Sequence, residues 1–90
     1  MNFEAGQIVM SKAGHDKLSY YIVVSSDDKY LYLVNGKTRT MDKAKKKKII
    51  HVQPTLNVDK DVANKIKSGT VTDEEIKRTI KLYIQKIDRK

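Results

Sequence analysis

Tyr30-Leu31-Tyr32-Leu33-Val34-Asn35-Gly36-Lys37-Thr38-Arg39-Thr40-Met41 is the stretch whose reading decides the fold. Its first five residues favour a pleated surface, and their period of two puts both tyrosines on one face and both leucines on the other. Asn35 and Gly36 both tolerate positive φ, so together they predict a tight hairpin leading into a strand from Lys37 to Met41. Working backwards, Tyr20 to Ser25 and Gln7 to Ser11 read as strands. They are separated by a longer basic loop, Ala13-Gly14-His15-Asp16-Lys17. Ser25 to Lys29 is a polar turn, and turn chemistry explains its adjacent Asp27 and Asp28 better than an acid/base pair does. Working forwards, Ile49 to Gln53 reads as a fifth strand, with His51 on the face opposite Ile50 and Val52. Five short strands spaced this way predict a small all-β barrel, whose closure would remove the exposed edges of an open sheet.

The hydrophobic period changes after Pro54. Val58, Val62 and Ile66 stand four apart, which predicts a short helix from about Asp59 to Ser68, ended by Gly69. Thr72-Asp73-Glu74-Glu75 reads as a capping box opening a second helix. Along that helix Ile76, Ile80, Tyr83, Ile84 and Ile87 form one apolar face, and Lys86, Arg89 and Lys90 trail it as the macrodipole prefers. The expected organisation is therefore mainly β: a barrel over residues 1–55, then a two-helix extension over residues 56–90. The helices either pack on the barrel as a hairpin or offer their apolar face to a protein partner.

Lys and Arg number 19 against 11 Asp and Glu, a net charge of +8, so polyanions are the natural partners. The chain has no cysteine, and His15 and His51 are its only histidines. Gly-rich phosphate loops, nucleophile elbows and metal-spaced clusters are all missing from the sequence. We expect no enzyme, no cofactor and no metal site. No apolar run approaches the length of a membrane span and the start lacks a signal peptide, so the expectation is a cytoplasmic protein without membrane contact, monomeric by default.

Positive charge gathers in two places. Lys12, His15 and Lys17 lie in or beside the first loop; Lys37, Arg39, Lys43, Lys45, Lys46, Lys47 and Lys48 follow the predicted hairpin. Such residues neutralise phosphates and release counterions, whereas the bland reading of the lysine run is a solvated connector. Tyr30 and Tyr32 are candidate base-stacking residues, worth about 1–3 kcal/mol per stacked base, unless they instead cover hydrophobic surface beneath the helices. Tyr20 and Tyr21 are adjacent and face opposite ways, so one of them belongs to the core.

The stretch Gly6-Gln7-Ile8-Val9-Met10-Ser11-Lys12-Ala13-Gly14-His15-Asp16-Lys17 with Tyr21-Ile22-Val23-Val24 resembles the KOW motif. The likeness is to the fourteen-e class of large-subunit ribosomal proteins and their small bacterial relatives. Val34 to Met41, Lys43 to Lys48 and His51-Val52-Gln53 resemble the same group. The resemblance implies a five-stranded SH3-like barrel, RNA as ligand (ribosomal RNA first), and association with the translation apparatus. Other KOW domains bind proteins of the transcription machinery, which makes a protein-interaction module the alternative. The chain departs from the family at Leu18, where glycine is usual, at His15, where a basic residue is usual, and at Ala44, where proline is common. Leucine resists the positive φ that glycine allows, so the site expectation rests mainly on the segment after the hairpin.

Overall fold

A computed structural model describes residues 3–88; Met1, Asn2 and the trailing Arg89 and Lys90 lie outside it. Five strands form one antiparallel sheet: β1 (Gln7–Ser11), β2 (Tyr20–Ser26), β3 (Tyr30–Val34), β4 (Lys45–Lys48) and β5 (Val52–Val58). Their spatial order is β4-β3-β2-β1-β5, and two helices follow, α1 (Lys60–Ser68) and α2 (Asp73–Ile87). No ladder joins β4 to β5 among the described residues, so the sheet keeps two edges rather than closing. Irregularities between Gln7 and Val9 against β5, and between Val23 and Ser25 against β3, break the pairing register. Bulges of this kind bend and twist a sheet.

Each face of the sheet carries a buried cluster. On one, Ile8, Ile22 and Val34 pack against Val62 of α1 and Ile76 and Ile80 of α2. On the other, Val9, Tyr21, Val23, Leu31, Leu33 and Val52 form a second cluster with Phe3 and Ile49 against it. The tyrosine pair divides as alternation requires: Tyr21 joins this second cluster, while Tyr20 meets Tyr83 edge to face with ring centroids 5.3 Å apart. Because Ile76 and Ile80 are buried within the monomer, most of the α2 stripe is covered by the chain's own sheet.

The hairpin expected at Asn35-Gly36 does not form, and Lys37 to Met41 is a loop rather than a strand. Asn35 closes this loop locally. Its side-chain oxygen accepts from the amides of Lys37 and Arg39, both at 2.9 Å, while the amides of Asn35 and Gly36 donate to the Arg39 carbonyl. The loop also docks on α2, because the Met41 amide donates to Asp73 Oδ1 at 2.9 Å and Gly36 packs against the backbone of the first helical turn. Backbone groups engaged in these bonds are unavailable to a ladder with β3.

The partner of β3 is instead the lysine run, with Lys45, Lys46, Lys47 and Lys48 opposite Leu33, Tyr32, Leu31 and Tyr30. Lysines on an edge strand discourage pairing with further chains. The fifth predicted strand is displaced as well: Ile49–His51 is a 3₁₀ turn, and β5 continues through Pro54 to Val58. His51 and Ile50 are therefore both exposed instead of alternating. Pro54 is tolerated because β5 is an edge strand.

Leu18 adopts φ +73°, the left-handed conformation that costs a side-chain-bearing residue about 1–2 kcal/mol. Its amide donates to the Ser11 carbonyl at 2.8 Å, and the Ser19 amide donates to the Asp16 backbone carbonyl at 2.9 Å. The first loop thus keeps a glycine-like turn with leucine in place.

The helix boundaries follow local chemistry. Asp59 caps α1 by accepting from the Val62 amide at 3.0 Å, and Gly69 ends it in the left-handed region. Thr72 Oγ1 accepts from the Glu75 amide at 3.2 Å, while Glu75 Oε1 accepts from the Thr72 amide at 3.1 Å. Glu75 also pairs with Lys65, tying α2 to α1. Thr72→Ala is expected to cost about 1 kcal/mol, lowering the thermal midpoint by about 4–8 °C in a circular-dichroism melt. An unchanged midpoint would show that the cap contributes nothing.

Candidate nucleic-acid interface

Strand alternation divides the lysine run. Lys45 and Lys47 turn to the face that carries Leu31 and Leu33, where both ammonium groups meet Asp16 at 3.1 and 2.8 Å. Lys47 is only 9% exposed and its Nζ also donates to the Ala13 carbonyl at 2.9 Å. Ser11 Oγ and the Tyr21 hydroxyl each donate to Asp16 at 2.9 Å, so the carboxylate is the hub of a network joining β1, β2, β4 and the first loop. Burial pushes the Asp16 carboxyl up, but the hydrogen bonds from Lys47, Lys45, Ser11 and Tyr21 outweigh it. They hold the group well below the ordinary carboxylate range. Tyr21 moves the other way, pushed up to about 12 by burial and by the adjacent Asp16 and only partly opposed by the charge of Arg39. Lys45 and Lys47 are therefore counter-ions of a structural carboxylate.

Lys46 and Lys48 turn outward on the opposite face. There they stand directly across the ladder from Tyr32 and Tyr30. The Lys46 ammonium lies 4.3 Å from the centre of the Tyr30 ring, a cation–π contact. The helices cover the Val34 end of this face, and neither tyrosine belongs to the cluster beneath them. Tyr30 and Tyr32 are half-buried. Asp27 closes one end of the strip. Its carboxylate accepts from the amides of Lys29 and Tyr30 at 2.9 and 2.8 Å and, more weakly, from the Tyr32 hydroxyl at 3.4 Å. The two backbone bonds depress its pKa.

The other cations singled out in the sequence lie on other segments. Lys12, His15 and Lys17 are exposed in or beside the first loop, and the Lys12 amide donates to the His51 carbonyl at 2.8 Å. Lys37 and Lys43 are exposed in the loop after β3; Arg39 in the same loop is half-buried, with its charge acting on Tyr21. Lys37 faces α2 across a groove that also takes in Lys77, Arg78 and Lys81.

Sequence reasoning missed the hub role of Asp16 and the cations of α2. Asp16 carries no local signal, because its partner Lys47 is 31 residues away. The α2 cations could have been found by reading the polar face of that helix with the same care as its apolar one. No helix among the described residues is long and apolar enough to cross a membrane. No protein-family model matches the chain, and no curated protein matches it either.

Proposed function

We propose that this chain is an RNA-binding domain that contacts structured RNA, ribosomal RNA foremost, through the Tyr30–Tyr32–Lys46–Lys48 strip. The observation that carries the reading is the register of β3 against β4, which sets two aromatic rings beside two outward lysines on the half of a sheet face that the helices leave open. Lysines neutralise phosphate and rings accept unpaired bases, and the combination binds with little sequence preference. Lys12, His15, Lys17, Lys37, Arg39 and Lys43 extend the field rather than the contact.

The accompanying fold reading is a five-stranded SH3-like barrel of the KOW type, left open between β4 and β5. The strand order, the two bulges and the buried cluster on each sheet face support it. A cytoplasmic setting and an association with the translation apparatus belong to the same reading, as does the lack of an enzymatic role.

The test is titration of the chain with a ribosomal RNA fragment at two salt concentrations. Lys46→Glu combined with Lys48→Glu is expected to weaken binding about tenfold or more and to reduce the log–log salt slope by about 2. Circular dichroism should show the fold retained, since neither side chain holds Asp16. Binding that is absent at low salt, or that does not change in the double variant, rules the strip out.

A further inference from the structure

Leu18 is costly to the fold in two ways. It holds a left-handed φ of +73°, which glycine would adopt without strain, and its apolar side chain is 64% exposed, so folding recovers little from it. Strain that persists without a packing return is a marker of function. Leu18 lines the groove on the α2 side of the molecule, where Tyr20, Ile80 and Ile84 supply the rest of the apolar lining. Ile80 is 8% exposed and so lies deepest.

The polar lining is strongly one-sided. Lys37, Arg78 and Lys81 are exposed, and none of the three forms an ion pair among the described residues. The one carboxylate in the lining, Glu74, is paired with Lys77 at 3.1 Å. An occupant must therefore bring negative charge together with an apolar group.

The lining also discriminates between polyanions. Its single aromatic ring, Tyr20, is engaged by Tyr83, and the other apolar groups are aliphatic. Bases stack on free flat rings, whereas an aliphatic pocket suits a branched aliphatic side chain. We propose that this groove binds an acidic peptide segment of a protein partner, with a leucine-type side chain seated beside Leu18 and carboxylates meeting Lys37, Arg78 and Lys81.

The groove is separate from the sheet strip. Tyr20 and Asn35 lie at the end of the β2–β3 ladder where Ile22 pairs with Val34, while Tyr30 and Tyr32 lie toward the opposite end, where Ser26 pairs with Leu31. This inference consequently stands or falls apart from the RNA reading.

The experiment uses the full chain and a fluorescein-labelled peptide built of aspartate, glutamate and two leucines, read by anisotropy. Leu18→Gly is expected to raise the thermal midpoint while weakening the peptide about tenfold, the loss of one apolar anchor. Arg78→Glu with Lys81→Glu should weaken it at least as much, and Lys46→Glu with Lys48→Glu should leave it unchanged. A peptide with serine for leucine should bind as weakly as the Leu18→Gly variant binds the original. The proposal is overturned if wild type does not bind the acidic peptide at low salt, if Leu18→Gly binds it as wild type does, or if the serine peptide binds equally well. It is overturned equally if unlabelled oligouridylate displaces the peptide and itself loses affinity in the Leu18→Gly variant, which would make the groove a nucleic-acid site.

Discussion

Asp16→Asn is expected to destabilise the chain by about 3–5 kcal/mol, because the replacement keeps the shape of the side chain and removes the one carboxylate that pairs with Lys45 and Lys47 among the described residues. Lys47 is buried, so its ammonium cannot recover hydration without moving β4. Small domains have only about 5–15 kcal/mol in total, so much of the stability disappears with one atom's change of charge. Urea unfolding measures it, and a shift under about 1 kcal/mol would refute the hub role. A second variant isolates the charge: Asp16→Asn with Lys47→Met replaces the ionic pair by an uncharged one and should recover part of the loss.

The same network determines how the wild type responds to pH. The folded Asp16 lies below its ordinary value of 3.8, so its contribution is fully present above that value and is lost as the pH falls further. Tyr21 behaves oppositely. Its folded value, raised from 10.0 to about 12, gives a contribution that is present below pH 10 and lost as the pH climbs toward 12. Stability should therefore fall off at both extremes, and Asp16→Asn should flatten the acid limb.

Gly36→Ala should cost about 3 kcal/mol. Gly36 has φ +76°, which alone costs an alanine about 1–2 kcal/mol. A Cβ there would also run into the Asp73 carbonyl oxygen and come within 2.8 Å of the Lys77 amide nitrogen. Both are backbone atoms of α2, so relief requires the helix to move away from the sheet and from Ile22 and Val34. Gly69→Ala is the control. It has a similar φ of +73° with nothing within 4 Å of the added atom, and its cost should stay near about 1 kcal/mol. Equal losses at the two positions in a denaturant titration would mean that the loop does not lean on the helix.

Much of the fold was legible where neighbours in sequence are also the physical partners. Gln7–Ser11 and Tyr30–Val34 emerge as strands with the expected bounds, and the Thr72–Glu75 box and Gly69 stand where helix chemistry puts them. The Asn35-Gly36 hairpin lost to two competitors, one local and one distant. The Asn35 side chain and the Arg39 carbonyl take the amides that close the loop, and the Met41 amide docks on Asp73 of α2. The strand at the lysine run went unread for a related reason: four like charges in a row carry no strand signal until a distant carboxylate neutralises two of them.

By itself, then, the order of residues determined the first three strands, the start of both helices and the stop of the first, and the division of Tyr30 and Tyr32 from Leu31 and Leu33, because periodicity and capping act over a few bonds. Tertiary structure alone decided which segment became the fourth strand and which lysines face outward. It also decided that Asp16 would anchor the network and that Leu18 would hold a conformation glycine normally takes. Those outcomes depend on groups brought together from far apart in the chain, where burial and charge pairing outweigh the preference of any short stretch.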